Sequence, residues 1–60
     1  MTLLLDLLLN DSGIADFIEL LEQTPVEEAV MVAKLALPIL GDKENYKFDC
    51  LQYYNYLNRL

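Results

Sequence analysis

Sixty residues can build at most one domain, and a domain of that size buries only about 60% of the surface its unfolded chain exposes, so its stability is marginal without a disulfide, a structural metal or a partner chain. One cysteine (Cys50) and no histidine exclude an intramolecular disulfide, a zinc site of the usual Cys/His kind and a Ser/His/Asp triad. Four basic residues against ten acidic ones, a net charge of −6, leave no cationic stripe to neutralise phosphates, which disfavours nucleic acid and anionic membranes as partners.

The first 33 residues hold seven carboxylates and no basic side chain, on a framework of Leu, Ile, Val and Ala dense enough for a buried core. Residues 1–9 read as a short helix capped by Thr2, with six leucines around Asp6, apolar on nearly every side and so expected to be buried all round. The run lacks the basic start and small-residue cleavage pattern of an export signal and is far shorter than the roughly 20 residues that span a bilayer. With a single unpaired thiol, the expected location is a reducing cytoplasm.

Asn10-Asp11-Ser12-Gly13 reads as a turn, with Asp11 or Ser12 capping a second helix that runs to about Gln23. Its apolar stripe is Ile14, Phe17, Ile18 and Leu21, spaced i, i+3, i+4 and i+7. Thr24-Pro25-Val26-Glu27 then has the form of a capping box with proline at the first helical position, and Glu27 and Glu28 sit where the helix dipole favours negative charge. The third helix should run from Pro25 to about Leu40, with Val26, Ala29, Val30, Ala33 and Leu37 on one face and Met31 and Leu35 on the other, and so touch neighbours on both sides. Pro38 should kink or end it near Leu37, with Gly41 as its stop.

The last helix has two possible starts. From Asp42, residues Tyr46, Cys50, Tyr53, Leu57 and Leu60 form a heptad-like seam, and Phe48 shares a face with Gln52, Asn55 and Arg59. From Asp49, Asp49 and Gln52 resemble a capping box, and Phe48 staples onto Tyr53; this start is preferred because it places Phe48 better. The fold class is therefore all-α: three to four short helices in a small bundle spanning residues 1–60 as one domain, whose core is completed by oligomerisation, most simply as a homodimer. A hydrophobic fraction of 55%, against ~45–50% in ordinary domains, points the same way.

Asp16, Glu19 and Glu22, at i, i+3 and i+6, could form a carboxylate cluster for acid–base chemistry or a cation, but solvated helical carboxylates show the same spacing, and the His of di-iron bundles and the offsets of a calcium loop are missing. Cys50 reads as an inert, half-buried thiol, and Ser12 as a turn or cap residue. Leu4–Leu8 and Leu5–Leu9 both fit the L-x-x-L-L pattern of helices that dock into grooves of transcriptional partners, although any leucine-rich core helix matches it. Tyr53 and Tyr54 are expected to pack inward. Tyr56 falls with Gln52, Asn55 and Arg59 and is expected to be exposed as a contact residue.

These readings converge on a non-catalytic protein-interaction module, a regulator, inhibitor or adaptor, with no cofactor and no metal. The interaction candidates are Asp16, Glu19, Glu22 and Tyr56. Two partners are expected: the chain itself, and another protein with a basic-rimmed apolar groove that suits an acidic helix with an apolar stripe. The competing readings are a purely structural oligomerisation domain and an acidic mimic of DNA that occupies a basic nucleic-acid-binding groove.

Overall fold

The computed structural model describes residues 3–11 and 13–59, and these form four helices: α1 (Leu3–Leu9), α2 (Ile14–Gln23), α3 (Val26–Leu40) and α4 (Tyr46–Leu57). The fold is all-α, with no strand among the described residues. Thr2 as a cap, Ser12 as a cap and Leu60 as the end of the seam lie outside the described residues.

The principal helix contacts close a ring in the order α1, α2, α4, α3 and back to α1. Inside it lie Leu4 and Leu8 from α1, Phe17 and Leu21 from α2, Ala29, Val32 and Ala36 from α3, and Leu51 from α4. As expected of a central helix, α3 touches neighbours on both sides, α1 and α4. The first helix is not buried all round within one chain: Leu4 and Leu8 are buried, but Leu3 and Leu9 are exposed. A helix at the corner of a ring of four can turn only part of its circumference inward, so a leucine on every side guarantees exposed leucines.

The expected starts of α2, α3 and α4 each shift for a local reason. Gly13, extended at φ −64° and ψ 154°, is the N-cap of α2 and supplies no side-chain cap, so Asp11 does not hold that position. The capping box at Thr24 also does not form. Thr24 instead ends α2: its N–H donates to the Leu21 carbonyl at 3.1 Å and its hydroxyl to the Leu20 carbonyl at 2.7 Å. With only two residues between helices, the threonine meets orphan carbonyls of the helix before it, and Pro25, itself extended at ψ 146°, becomes the N-cap of α3. The Thr24 carbonyl accepts from the Tyr54 hydroxyl at 3.1 Å, which ties this junction to α4. Replacing Tyr54 by phenylalanine removes that donor and should cost about 1 kcal/mol, a fall in melting temperature of roughly 4–8 °C. A melt superimposable on the wild type would show that the bond does not hold the junction.

The third helix does not end near Leu37. It continues past Pro38 to Leu40 and stops at Gly41, whose φ of 60° and N–H bond to the Leu37 carbonyl at 3.0 Å close it as expected. Pro38 is tolerated because the carbonyl that loses its donor belongs to Lys34, and both residues stand on the exposed side of the helix. The buried edge of α3 is Ala29, Val32 and Ala36. Of the expected inner face, Val26, Val30 and Ala33 are half-buried and Leu37 is 55% exposed. Alanines at the point of contact let the neighbouring helices approach, which is how small side chains displaced larger ones from the core.

The last helix starts at neither Asp42 nor Asp49. Asn45 caps it, with Oδ1 accepting from the Phe48 N–H at 3.0 Å. Its buried face is Lys47, Leu51 and Asn55, at i, i+4 and i+8. Lys47 is only 4% exposed, and its ammonium donates to the carbonyls of Leu7 at 2.9 Å and Asn10 at 2.8 Å. A cation on the last carbonyls of α1 satisfies orphan acceptors and complements the helix dipole. The heptad-like seam consequently faces outward: Tyr46, Tyr53 and Leu57 are exposed, with Cys50 half-buried between them. The stapling of Phe48 onto Tyr53 does not occur, since Phe48 lies inside the helix and packs against the core cluster.

Candidate functional site

The three carboxylates singled out in the sequence all stand exposed on α2, but they do not converge. Asp16 and Glu19, with Leu3, Leu7, Leu20 and Gln23, line a shallow groove of about 340 Å³ between α1 and α2; Glu22 is not part of it. Glu22 belongs to a neighbouring strip in which Ala15, Ile18, Glu19 and Glu22 recur at i, i+3, i+4 and i+7, all exposed. Ile18 was expected in the core stripe. The inward face is instead turned towards Leu20, which packs half-buried on the core and leaves Ile18 outside.

A second groove, of about 350 Å³, runs between α3 and α4. Its walls are the apolar Val30, Ala33, Leu37 and Phe48, joined by Tyr56, and its rim carries Lys34, Gln52 and Arg59. Tyr56 is exposed, as expected. Phe48 shares the groove with Gln52, Asn55 and Arg59, the grouping that follows from a continuous helix through residue 48. Two of the chain's four basic residues flank this groove, and among the described residues no carboxylate lines it. Among the described residues neither Lys34 nor Arg59 has an ion-pair partner, and the same is true of Glu19 and Glu22.

Asn55 also lines the α3–α4 groove. It is 8% exposed, its Nδ2 donates to the Ala29 carbonyl over a long 3.4 Å, and its Oδ1 is buried with no donor. Buried amide oxygens are nearly always satisfied, so an unmet one is unusual. Sequence reasoning missed Lys34, Asn55 and Arg59 as parts of one site and Lys47 as a core residue. The spacing of Asn55 and Arg59 was visible, but that Lys34 of another helix faces them was not.

Of the tyrosines expected inside, Tyr54 is half-buried with its hydroxyl bonded to Thr24, whereas Tyr53 is 63% exposed. The leucines of both L-x-x-L-L matches are partly consumed by the core, Leu4 and Leu8 being buried, so that helix cannot offer them to a partner while folded. Cys50 is a free, half-buried thiol. Among the described residues no three His, Cys, Asp or Glu side chains gather as a metal site would require, and no helix is long and apolar enough to cross a membrane. No family model, curated protein or solved structure matches this chain.

Proposed function

We propose that this chain is a small acidic protein-interaction module without catalytic activity of its own, which self-associates and engages a basic-rimmed apolar groove through α2. The observation that carries this reading is the distribution of large apolar side chains. Eleven of them stand exposed among the described residues, while the buried core holds eight hydrophobic residues, three of them only alanine or valine. Exposed large apolar side chains thus outnumber the residues of the core, and pairing with a second copy is one of the routes by which so small a chain gains stability. Catalysis is a poor fit to the same surface: no histidine is present to act as a base, the lone thiol has no basic residue beside it in sequence, and the grooves are open troughs.

Light scattering after size exclusion at micromolar concentration should give at least twice the chain mass of 6.9 kDa. A well-folded monomer at that concentration would contradict the reading.

A further inference from the structure

We infer that the basic-rimmed apolar groove into which α2 docks is the α3–α4 groove of a second copy of this chain. The inference rests on the self-association proposed above and names the surfaces that meet. On one side is the strip Ala15, Ile18, Glu19, Glu22: two apolar side chains beside two carboxylates with no cationic partner among the described residues. On the other is a trough with apolar walls that include Leu37 and Phe48, rimmed by two cations, Lys34 and Arg59, equally without partners among the described residues. The signs are opposite, the apolar centre of each surface sits beside its charges, and both charge pairs are otherwise idle. This is the arrangement by which an amphipathic helix lies in a charged-rimmed groove, with apolar contact supplying affinity and the rim fixing register.

Asn55 supplies an independent observation. Its side chain lines the same groove, and its Oδ1, sealed from the surface without a donor, gains one from a docked segment only by turning the amide outward. On α2 the amide of Gln23 lies one step round the helix from Glu19 and bears N–H groups. All four interaction candidates read from the sequence then belong to or border one contact: Glu19 and Glu22 on the docking strip, Asp16 at its edge, Tyr56 in the receiving groove. The strip and the groove are different surfaces, so a two-fold dimer makes the contact twice, each copy giving its α2 and receiving the other's.

Charge exchange tests this. The double variant Glu19→Lys/Glu22→Lys has a basic strip and a basic groove; Lys34→Glu/Arg59→Glu has an acidic strip and an acidic groove. At physiological salt, where charges beyond about 8 Å are screened, each should self-associate about tenfold or more weakly than wild type by sedimentation equilibrium. An equimolar mixture of the two should regain near-wild-type association, because each strip now faces a groove of opposite sign, and so should the quadruple variant, whose net charge is again −6. The first variant is the sharper control. Each Glu→Lys change adds two charges, taking the net from −6 to −2, so general repulsion falls while association is expected to weaken. Circular dichroism checks that the variants, all at exposed positions, remain helical.

Loss in both variants with rescue in the mixture supports the inference. A wild-type monomer would overturn it together with the self-association reading. Undiminished dimers in either double variant would overturn it while leaving self-association standing, with the exposed apolar residues outside this contact, such as Tyr46, Tyr53 and Leu57 of α4, left to form the interface.

Discussion

Replacing Lys47 by methionine should destabilise the fold by about 2–3 kcal/mol and lower its melting temperature by roughly 10–20 °C. Methionine retains most of the unbranched stem, so packing is largely preserved and the loss isolates the ammonium. That group is buried and donates to the carbonyls of Leu7 and Asn10 at the end of α1. The variant loses two hydrogen bonds from a charged donor, each worth about 1.5–3 kcal/mol where the donor is buried and less where the acceptor is only partly so. A thermal melt followed by circular dichroism reads the effect directly. A midpoint within about 3 °C of wild type would mean that α1 closes onto α4 by apolar contact alone, with the lysine adding nothing.

The largest loss is expected from Phe17→Ala. Phe17 is fully buried at the centre of the ring, and truncating a core phenylalanine costs about 3–5 kcal/mol in lost transfer energy and cavity. A 60-residue domain at typical stability per residue has roughly 3–9 kcal/mol in total, so most of the population should be unfolded or loosely packed at room temperature. Leu37→Ala is the matched control: sequence pattern places both residues on an inner face, but the structure leaves Leu37 more than half exposed, and at chain concentrations low enough to keep the protein monomeric its truncation should change the stability read from urea unfolding by less than about 0.5 kcal/mol. A phenylalanine variant no less stable than the leucine variant would contradict the core described above.

Punctuation and periodicity revealed the helices, and the places where they misled share a cause. The strongest local signal in the chain, Thr24-Pro25-Val26-Glu27, marked the right boundary but the wrong bonds, because Thr24 serves the carbonyls of the helix it ends. Asn45 was a legible cap that two nearby aspartates outcompeted in a reading by residue type. Which face turns inward was harder. The α3 and α4 helices are apolar on more than one side, and a hydrophobic wheel cannot rank such faces, since the choice is made by shape and by neighbours. Hence alanines line the core of α3 while Leu35 and Leu37 face out, and the heptad spacing at Tyr46, Tyr53 and Leu57 lies on the surface, where it looks like a seam without its partner.

Lys47 and Asn55 show the limit most plainly. Charged and amide side chains read as exterior in any pattern, yet both are buried on α4, one because α1 ends against it and the other because Ala29 passes beside it. The carboxylates Asp16, Glu19 and Glu22 were visible from spacing within one helix, but the exposure of Ile18 beside Glu19 and Glu22 was not, since the wheel placed it in the core stripe. The groove that matches this strip needs Lys34 and Arg59 from two helices, a juxtaposition that exists only once the ring has closed.

The most direct measurement of the contact between copies is an isotope-filtered nuclear Overhauser experiment on an equimolar mixture of labelled and unlabelled chain. Between copies, the Ile18 methyl groups should show cross-peaks to the ring protons of Phe48 and Tyr56. A mixed dimer whose cross-peaks between copies are confined to Tyr46, Tyr53 and Leu57, or a sample with none at all, would contradict it.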